Sequence, residues 1–182
     1  MAEWCGKEGV DIWGYCLMPN HTHLIAVPPS QQGLRRAVGQ PHRRYTRRIN
    51  FREKWRGYLW QGRFASFVME ESYLLAAARY VELNPVRAGL VSSPSQWGWS
   101  SARAHLSGRD DCLVKVGPLL PMIGDWQGLL HSALGEEELK QLRRHGRTGR
   151  PLGDEGFLER LEALVGRVLK PRKGGRPRKQ QN

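Results

Sequence analysis

Two histidines in an apolar run are the first residues of this sequence whose types and spacing could do chemistry. His21 and His23 lie one residue apart in YCLMPNHTHLIAV, residues 15–27. In a strand, residues i and i+2 point to the same face, so the two imidazoles project side by side. Two neutral imidazoles at this spacing can share one divalent metal ion. A structural pair that is hydrogen-bonded at the start of the strand fits the same spacing, so the spacing alone leaves both interpretations open.

A tyrosine and an asparagine extend this candidate site. Residues 71–84 predict a helix with Ser72 as its N-cap, and Pro85 is expected to push Asn84 out of the α region. Tyr80 and Asn84 are one turn apart on the same helical face. Asn84 can supply a third metal ligand, and Tyr80 can present its hydroxyl beside that metal. The alternative is a core tyrosine whose hydroxyl is bonded to a backbone group.

The elements that must position these groups follow from the hydrophobic pattern. Residues 10–18 and 21–27 are rich in β-branched and aromatic side chains, which predicts two strands with a turn at Pro19 and Asn20. Residues 64–69 alternate between apolar and polar types and predict a third strand.

A helix is predicted between the second and third strands. Leu34, Val38, Tyr45 and Ile49 recur with helical spacing and form its apolar face. Pro41 interrupts the pattern and is expected to break or kink this helix, because proline lacks an amide hydrogen.

Charge gives the first indication of a partner. The chain has 29 Lys and Arg against 17 Asp and Glu, for a net charge of +12. The basic residues are concentrated: residues 35–63 hold ten Lys and Arg and one acidic residue, Glu53. A balance this basic favours a polyanionic partner, most often nucleic acid, over a merely solvated basic surface. Trp55, Tyr58 and Trp60 in the same region could stack on bases, although Trp60 is better interpreted as a core residue.

The three cysteines are scattered and odd in number, which argues for reduced thiols and gives no zinc spacing. The first residues lack the pattern of a secretory signal, and no apolar run is long enough to span a bilayer. We therefore expect a cytoplasmic protein, associated with the nucleoid if its partner is DNA, and no membrane partner.

Four motifs in order, YCLMPNHTHLI, WQGRF, RYVELNPVRAGLV and WGWSSARAHL, identify a related family. Across about residues 10–108 the chain resembles the REP-associated tyrosine transposases, a branch of the single-tyrosine HUH nucleases. The combination of MPNHTH with NPVRAGLV is specific, whereas either motif alone is much weaker.

The resemblance implies a role for each candidate residue. His21 and His23 match the family's His-hydrophobic-His motif, here with Thr22 in the middle, and would be metal ligands. Asn84 would be the third ligand, and the metal would be Mg²⁺ or Mn²⁺. Tyr80 would be the nucleophile that cleaves DNA through a covalent 5′-phosphotyrosine, leaving a free 3′-hydroxyl and conserving the bond energy for rejoining. The expected partner is single-stranded or hairpin DNA, such as repetitive palindromic elements, and a homodimer and a monomer both remain open.

Several arginines are expected to contact this DNA. The predicted contacts are Arg36, Arg43, Arg44, Arg47, Arg63, Arg87, Arg176 and Arg178. The last two belong to the tail KPRKGGRPRK, which resembles an AT-hook that lays arginines in a narrow minor groove. A solubilising basic tail is the alternative.

The resemblance also implies the fold class, α+β, with a ferredoxin-like antiparallel sheet and helices on one face. The chain begins almost at the strand of residues 10–18, so we expect the first strand and helix of that fold to be missing. The predicted organisation is a catalytic domain at 1–108, a linker at 109–130, a small helical module at 131–170 and a disordered basic tail at 171–182. A helix-turn-helix is one interpretation of the helical module.

Two other functions compete with the transposase interpretation. The first is a catalytically inactive DNA-binding remnant, which the short N-terminal segment favours. The second is a histidine-triad nucleotide hydrolase, which the His-x-His strand alone would suggest. That chemistry needs another histidine two residues further along, where this sequence has Ile25.

Overall fold

The computed structural model describes residues 1–30, 32–132 and 135–170. The α+β class is confirmed: an antiparallel hairpin packs against α-helices. Its strands are β1 (Asp11–Leu17) and β2 (Thr22–Val27). The α-helices within the described residues are α1 (Ala2–Glu8), α2 (Gly33–Glu53), α3 (Leu74–Glu82), α4 (Asn84–Arg87), α5 (Ala102–Ser107), α6 (Trp126–His131), α7 (Glu136–Thr148) and α8 (Glu155–Val165). None of them is long and apolar enough to cross a membrane.

The hairpin turns at Pro19 and Asn20, as predicted. Met18 N donates to His21 O at 2.8 Å across this two-residue connection. The proline therefore sits in the turn, where its missing amide hydrogen costs no ladder hydrogen bond. The short loop fixes the register of the strands.

Both faces of the hairpin are covered by hydrophobic clusters. Cys16 and Ile25 belong to a cluster that includes α3, α6 and α7, while Tyr15 and Leu24 belong to a cluster that includes α1 and α2. Because side chains alternate along a strand, His23 lies on the same face as Ile25 and points toward α3.

The prediction of a third strand at residues 64–69 is wrong. Within that segment only Met69 makes a bridge, an isolated one with Leu152. Leu152 N donates to Val68 O, and Glu70 N donates to Leu152 O, both at 2.8 Å. The segment therefore pairs with the loop between α7 and α8 rather than with the sheet. Alternating residue types predicted a sheet face, but a single loop partner accounts for the segment's backbone pairing.

The helix predicted after β2 is present as α2, and it continues through Pro41 without a break. Its buried residues are Gly33, Ala37, Val38 and Ile49. Tyr45 was expected on this apolar face, but the side chain is 51% exposed. Small residues such as Ala37 take the positions nearest the core, which allows α2 to pack closely.

The tyrosine-bearing helix is shorter than predicted. Residues Glu71–Tyr73 form a 3₁₀ turn, so α3 begins at Leu74 and Ser72 is not its N-cap. Leu83 separates α3 from α4, and Asn84 is the first residue of α4. The expectation that Asn84 leaves the helical region is therefore wrong. Pro85 is tolerated because the first turn of a helix leaves amide groups unpaired in any case.

Glu82, on the opposite face of α3 from Tyr80, is the centre of a buried polar network. Its Oε1 accepts hydrogen bonds from Ser101 Oγ at 2.5 Å and from His105 Nδ1 at 2.6 Å. Its Oε2 accepts one from Trp126 Nε1 at 3.0 Å. Three donors offset the cost of burying this carboxyl group, which is fully inaccessible to solvent.

The same network attaches α3 to the hairpin. Ser101 N donates to Tyr15 O at 3.0 Å, and Tyr15 N donates to Ser101 Oγ at 3.0 Å. Ser101 thus bonds both to β1 and to Glu82 of α3. The hydrogen bonds fix the distance between the strand pair and the helix, and so between the groups that each of them carries.

The two C-terminal helices, α7 and α8, lie within the segment that was predicted to be a small helical module. Leu142 of α7 is buried in the cluster that contains Ala77 and Ala78 of α3. Arg79 Nη2 also donates to Glu138 Oε2 at 2.9 Å, which ties α3 to α7. The division into a catalytic domain, a linker and a helical module stays a prediction, and the tail at 171–182 lies outside the described residues.

Candidate active site

The two histidines of the hairpin lie next to each other, as their spacing predicts. Their ring centroids are 4.8 Å apart, with the ring planes nearly perpendicular. His21 is exposed and His23 is half-buried. His21 Nδ1 donates to Asn20 Oδ1 at 2.6 Å, which leaves the other ring nitrogen, Nε2, as the candidate metal ligand. The turn that ends the hairpin thereby also orients the first imidazole.

Tyr80 lies against this histidine pair. The centroid of its ring is 5.6 Å from that of His23, again edge to face. The side chain is half-buried rather than sealed in the core. The hairpin and α3 therefore bring together a phenol and two imidazoles that are nearly 60 residues apart in the sequence.

Arg87 lies over the ring of Tyr80. Its Cζ atom is 4.2 Å from the ring centroid, a cation–π contact. Its Nη2 donates to Asn84 Oδ1 at 3.1 Å. Arg87 Nη1 and Asn84 Nδ2 are buried without a hydrogen-bond partner among the described residues. Unpaired donors at this depth are costly, and an anion placed here would accept hydrogen bonds from both.

Burial and neighbouring charge shift two pKa values in this cluster. Burial, with smaller contributions from His21 and Arg87, lowers the pKa of His23 to about 4. His23 is therefore neutral near pH 7, the form in which imidazole binds metals. Burial also lowers the pKa of Arg87, an effect that Tyr80 opposes and Arg143 of α7 reinforces. The guanidinium remains charged at neutral pH because its ordinary pKa is so high.

Comparison with known protein families decides the identity of this region. Residues 1–84, which include the hairpin, α2 and Tyr80, match the family model for IS200-like transposases. The N-terminal region of this chain belongs to the IS200-like transposase family. No curated protein and no solved structure matches the chain. DNA is therefore the partner that the family implies, and the match ends at Asn84.

His21, His23 and Asn84 carry donor atoms of types that can bind a divalent metal ion. Among the described residues, no three His, Cys, Asp or Glu side chains are grouped so that they could hold one. A three-ligand site at the histidine pair would need a ligand of another type, such as the amide oxygen of Asn84. That oxygen accepts from Arg87 and keeps a second lone pair. Two nitrogen donors favour Mn²⁺ over Mg²⁺, which prefers oxygen ligands.

The arginines that were predicted to contact DNA lie in separate places. Arg36, Arg43 and Arg63 line one groove beside α2. Arg87 contacts Tyr80. Arg44 instead points to α1, where its Nη1 lies 3.5 Å from Glu3.

The other predicted arginines are not part of these clusters. Arg47 is exposed on α2 but is not among the residues that line the groove. Arg176 and Arg178 lie outside the described residues. The aromatic residues divide in a similar way: Tyr58 is fully exposed and Trp55 is 60% exposed. Trp60 is half-buried and stacks on His42 with ring centroids 4.0 Å apart.

Sequence reasoning missed three basic residues near these places. Arg35 and Arg147 line the groove together with the predicted arginines, and Arg143 lies close enough to Arg87 to affect its pKa. The sequence does indicate a basic cluster here, because residues 143–150 (RRHGRTGR) hold four arginines and no acidic residue. It was overlooked because the C-terminal part was treated as a separate module.

Proposed function

We propose that the chain is a DNA transposase or single-strand DNA endonuclease in which Tyr80 is the nucleophile. The observation that carries the proposal is the contact between Tyr80 and the histidine pair within a region that belongs to the IS200-like transposase family. A structural tyrosine would be buried or bonded to the backbone. Tyr80 is instead half-buried between His23 and Arg87.

The proposed reaction is a transesterification at one phosphodiester. Tyr80 Oη forms a bond to phosphorus, and the bond between phosphorus and the 3′ oxygen breaks. The phenolic proton passes to water, and the departing 3′ oxygen takes up a proton. The products are a 5′-phosphotyrosine and a free 3′-hydroxyl, and the reverse reaction with another 3′-hydroxyl joins strands.

The other residues of the site serve this step. Arg87, with an unpaired Nη1 beside the tyrosine ring, would bind a nonbridging phosphate oxygen and offset its negative charge. His21, His23 and Asn84 would hold Mn²⁺ or Mg²⁺. When bound, the ion supplies Lewis-acid charge that makes phosphorus easier to attack. Neutral His23 and a preoriented His21 keep the ligand nitrogens available for it.

The test uses end-labelled single-stranded DNA that carries a hairpin. With Mn²⁺, DNA labelled at the 3′ end should form a product that stays joined to the protein in SDS. The same DNA labelled at the 5′ end should release a shorter free fragment. Tyr80→Phe should form no adduct, while Tyr73→Phe, a second tyrosine at the start of the same helical segment, serves as the matched control. An adduct of normal yield with Tyr80→Phe would refute the role of Tyr80.

A second function, DNA binding without cleavage, is favoured by one observation. The amide oxygen of Asn84 is bonded to Arg87, and this contact competes with a role as a metal ligand. This alternative predicts no adduct with any divalent metal, and salt-sensitive binding that survives both His21→Ala and Tyr80→Phe.

A further inference from the structure

A basic groove lies between α2, the segment at residues 60–66 and the C-terminal end of α7. Its volume is about 1250 Å³, larger than the roughly 300–1,000 Å³ of typical small-molecule sites. Five arginines line it: Arg35, Arg36, Arg43, Arg63 and Arg147. No acidic residue of the described chain lines it. A concave surface of one charge sign concentrates counter-ions, and here it favours an extended polyanion.

Most of these arginines are available to a ligand. Arg36 lies 3.7 Å from Glu8. Arg35, Arg43, Arg63 and Arg147 form no ion pair with a described residue and are exposed. Their charges are therefore not neutralised by the protein and can be met by phosphates.

Aromatic side chains form part of the same groove. Trp60 and Phe64 line it, and both are half-buried. Trp60 is held in place because its Nε1 donates to His42 O at 3.2 Å and its ring stacks on His42. Proteins that bind single-stranded nucleic acid combine fixed aromatic rings with basic side chains. The bases stack on the rings, and the phosphates pair with the basic groups.

The groove depends on α7, which lies beyond the region matched by the family model. The loop after α7 is anchored to the segment that forms the groove wall, through the Leu152 hydrogen bonds to Val68 and Glu70. Arg143 precedes Arg147 by one helical turn, about 6 Å along the axis. The same helix packs on α3, which carries Tyr80, through Leu142 and through the ion pair between Arg79 and Glu138. Helix α7 therefore contacts the helix of Tyr80 and also lines the groove, at Arg147.

We propose that this groove binds the single-stranded DNA that flanks the cleavage point, and that α7 contributes to it through Arg147. The inference rests on the proposed function for the identity of the ligand. Strand segments would pass from Tyr80 along Arg143 and Arg147 into the groove. The C-terminal part of the chain is then part of the DNA path and not only an appended module.

The experiment measures binding of a fluorescent, single-stranded oligonucleotide at several salt concentrations. Every protein carries Tyr80→Phe, so that failure of cleavage leaves the binding measurement intact. Arg147→Gln should raise Kd about three- to tenfold and reduce the slope of log K against log salt by about 0.7, one phosphate contact on a single strand. Arg144→Gln is the matched control: Arg144 is also exposed on α7 but does not line the groove.

The outcomes separate the two proposals. Equal Kd values and equal salt slopes for Arg147→Gln and Arg144→Gln would overturn the proposal that the groove binds DNA, even if the wild-type protein forms the covalent adduct. A specific effect of Arg147→Gln would support the groove, even if no adduct forms. Thermal unfolding of both variants checks that the lost affinity does not come from lost structure. A Trp60→Leu variant adds an independent arm, because loss of stacking should weaken binding without changing the salt slope.

Discussion

Two polar clusters on opposite faces of α3 each contain histidine, yet they are built in different ways. On one face, all of the hydrogen bonds to Glu82 come from buried protein donors: Ser101, His105 and Trp126. On the other face, Tyr80 and Arg87 are half-buried, and Arg87 Nη1 and Asn84 Nδ2 have no partner among the described residues. The carboxylate of Glu82 is thus satisfied by the protein, although His105 Nε2 in the same cluster has no partner among the described residues. The unpaired groups on the other face belong to half-buried side chains, which a ligand can approach.

The two clusters are nevertheless connected. Glu82 holds α3 against β1 through Ser101, and β1 pairs with the strand that carries His23. The Glu82 cluster thus sets the geometry of the cluster around Tyr80. The contrast predicts that substitutions on the two faces will separate stability from activity.

The largest effect is expected on formation of the covalent adduct, from substitution of Tyr80. Tyr80→Phe removes the hydroxyl that attacks phosphorus in the proposed reaction, so the covalent adduct should fall below detection. The free energy of unfolding should change by less than about 1 kcal/mol, because the ring and its contacts remain. Adduct yield and urea denaturation on the same preparation measure the two quantities. A large loss of stability would place Tyr80 with the structural cluster.

The next largest effect is expected on stability, from substitution of Glu82 on the opposite face of α3. Glu82→Ala leaves three buried donors unpaired and should destabilise the protein by about 3–5 kcal/mol, as for a broken buried ion pair. Glu82→Gln, which keeps the shape and can still accept at one oxygen, should cost less. Denaturant unfolding followed by tryptophan fluorescence measures both variants. If Glu82→Ala unfolds like the wild type, the network does not hold α3 in place.

A smaller effect is expected from the protonation of His23, which should make the stability of the fold depend on pH. Its pKa is about 4 in the folded protein and about 6.5 in an unfolded chain, so the unfolded state binds more protons between these values. Stability should be fully present above about pH 6.5 and fall as the pH drops toward 4, by at most about 1.4 kcal/mol per pH unit.

Denaturation curves at several pH values test this slope. His23→Gln should flatten it, whereas the same change at His131, an exposed histidine of α6, is the matched control. A slope that is unchanged in His23→Gln would mean that other groups cause the loss of stability in acid.

The smallest expected effect concerns Arg87. Arg87→Lys keeps the charge, but an ammonium group cannot cover the ring of Tyr80 and donate to Asn84 in the same geometry. The rate of adduct formation should fall about tenfold, or roughly 1.4 kcal/mol. Arg103→Lys is the control, because Arg103 lies elsewhere in the fold, where its Nε donates to Ser95 O. Equal rates would show that Arg87 contributes charge without specific geometry.

Local patterns predicted much of the fold. The hairpin and its turn followed from β-branched residues on either side of Pro19 and Asn20, and the segment at 131–170 contains the helices α7 and α8, as predicted. The strand at residues 64–69 failed because alternation reports only that successive residues differ in type. It does not report which partner will meet the backbone, and here that partner is Leu152, more than 80 residues away.

The candidate site divides in the same way. The spacing of His21 and His23 is a property of one strand, so the sequence could indicate that they share a face. The Arg87 contacts with Tyr80 and Asn84 depend on α4 beginning at Asn84, and a proline at that point suggested the opposite. Arg147 joins Arg63 in one groove only because the loop after α7 pairs with the backbone near Val68.

The sequence by itself determined the chemistry that is available: an imidazole pair, a helical tyrosine and an excess of arginine. Residue type and short-range periodicity carry that information, because they act over one or two turns or strand repeats. Only the tertiary structure decided which polar groups are satisfied and which are left open. Hydrogen bonding and burial at Glu82, Tyr80 and Arg87 depend on side chains brought together from distant parts of the chain.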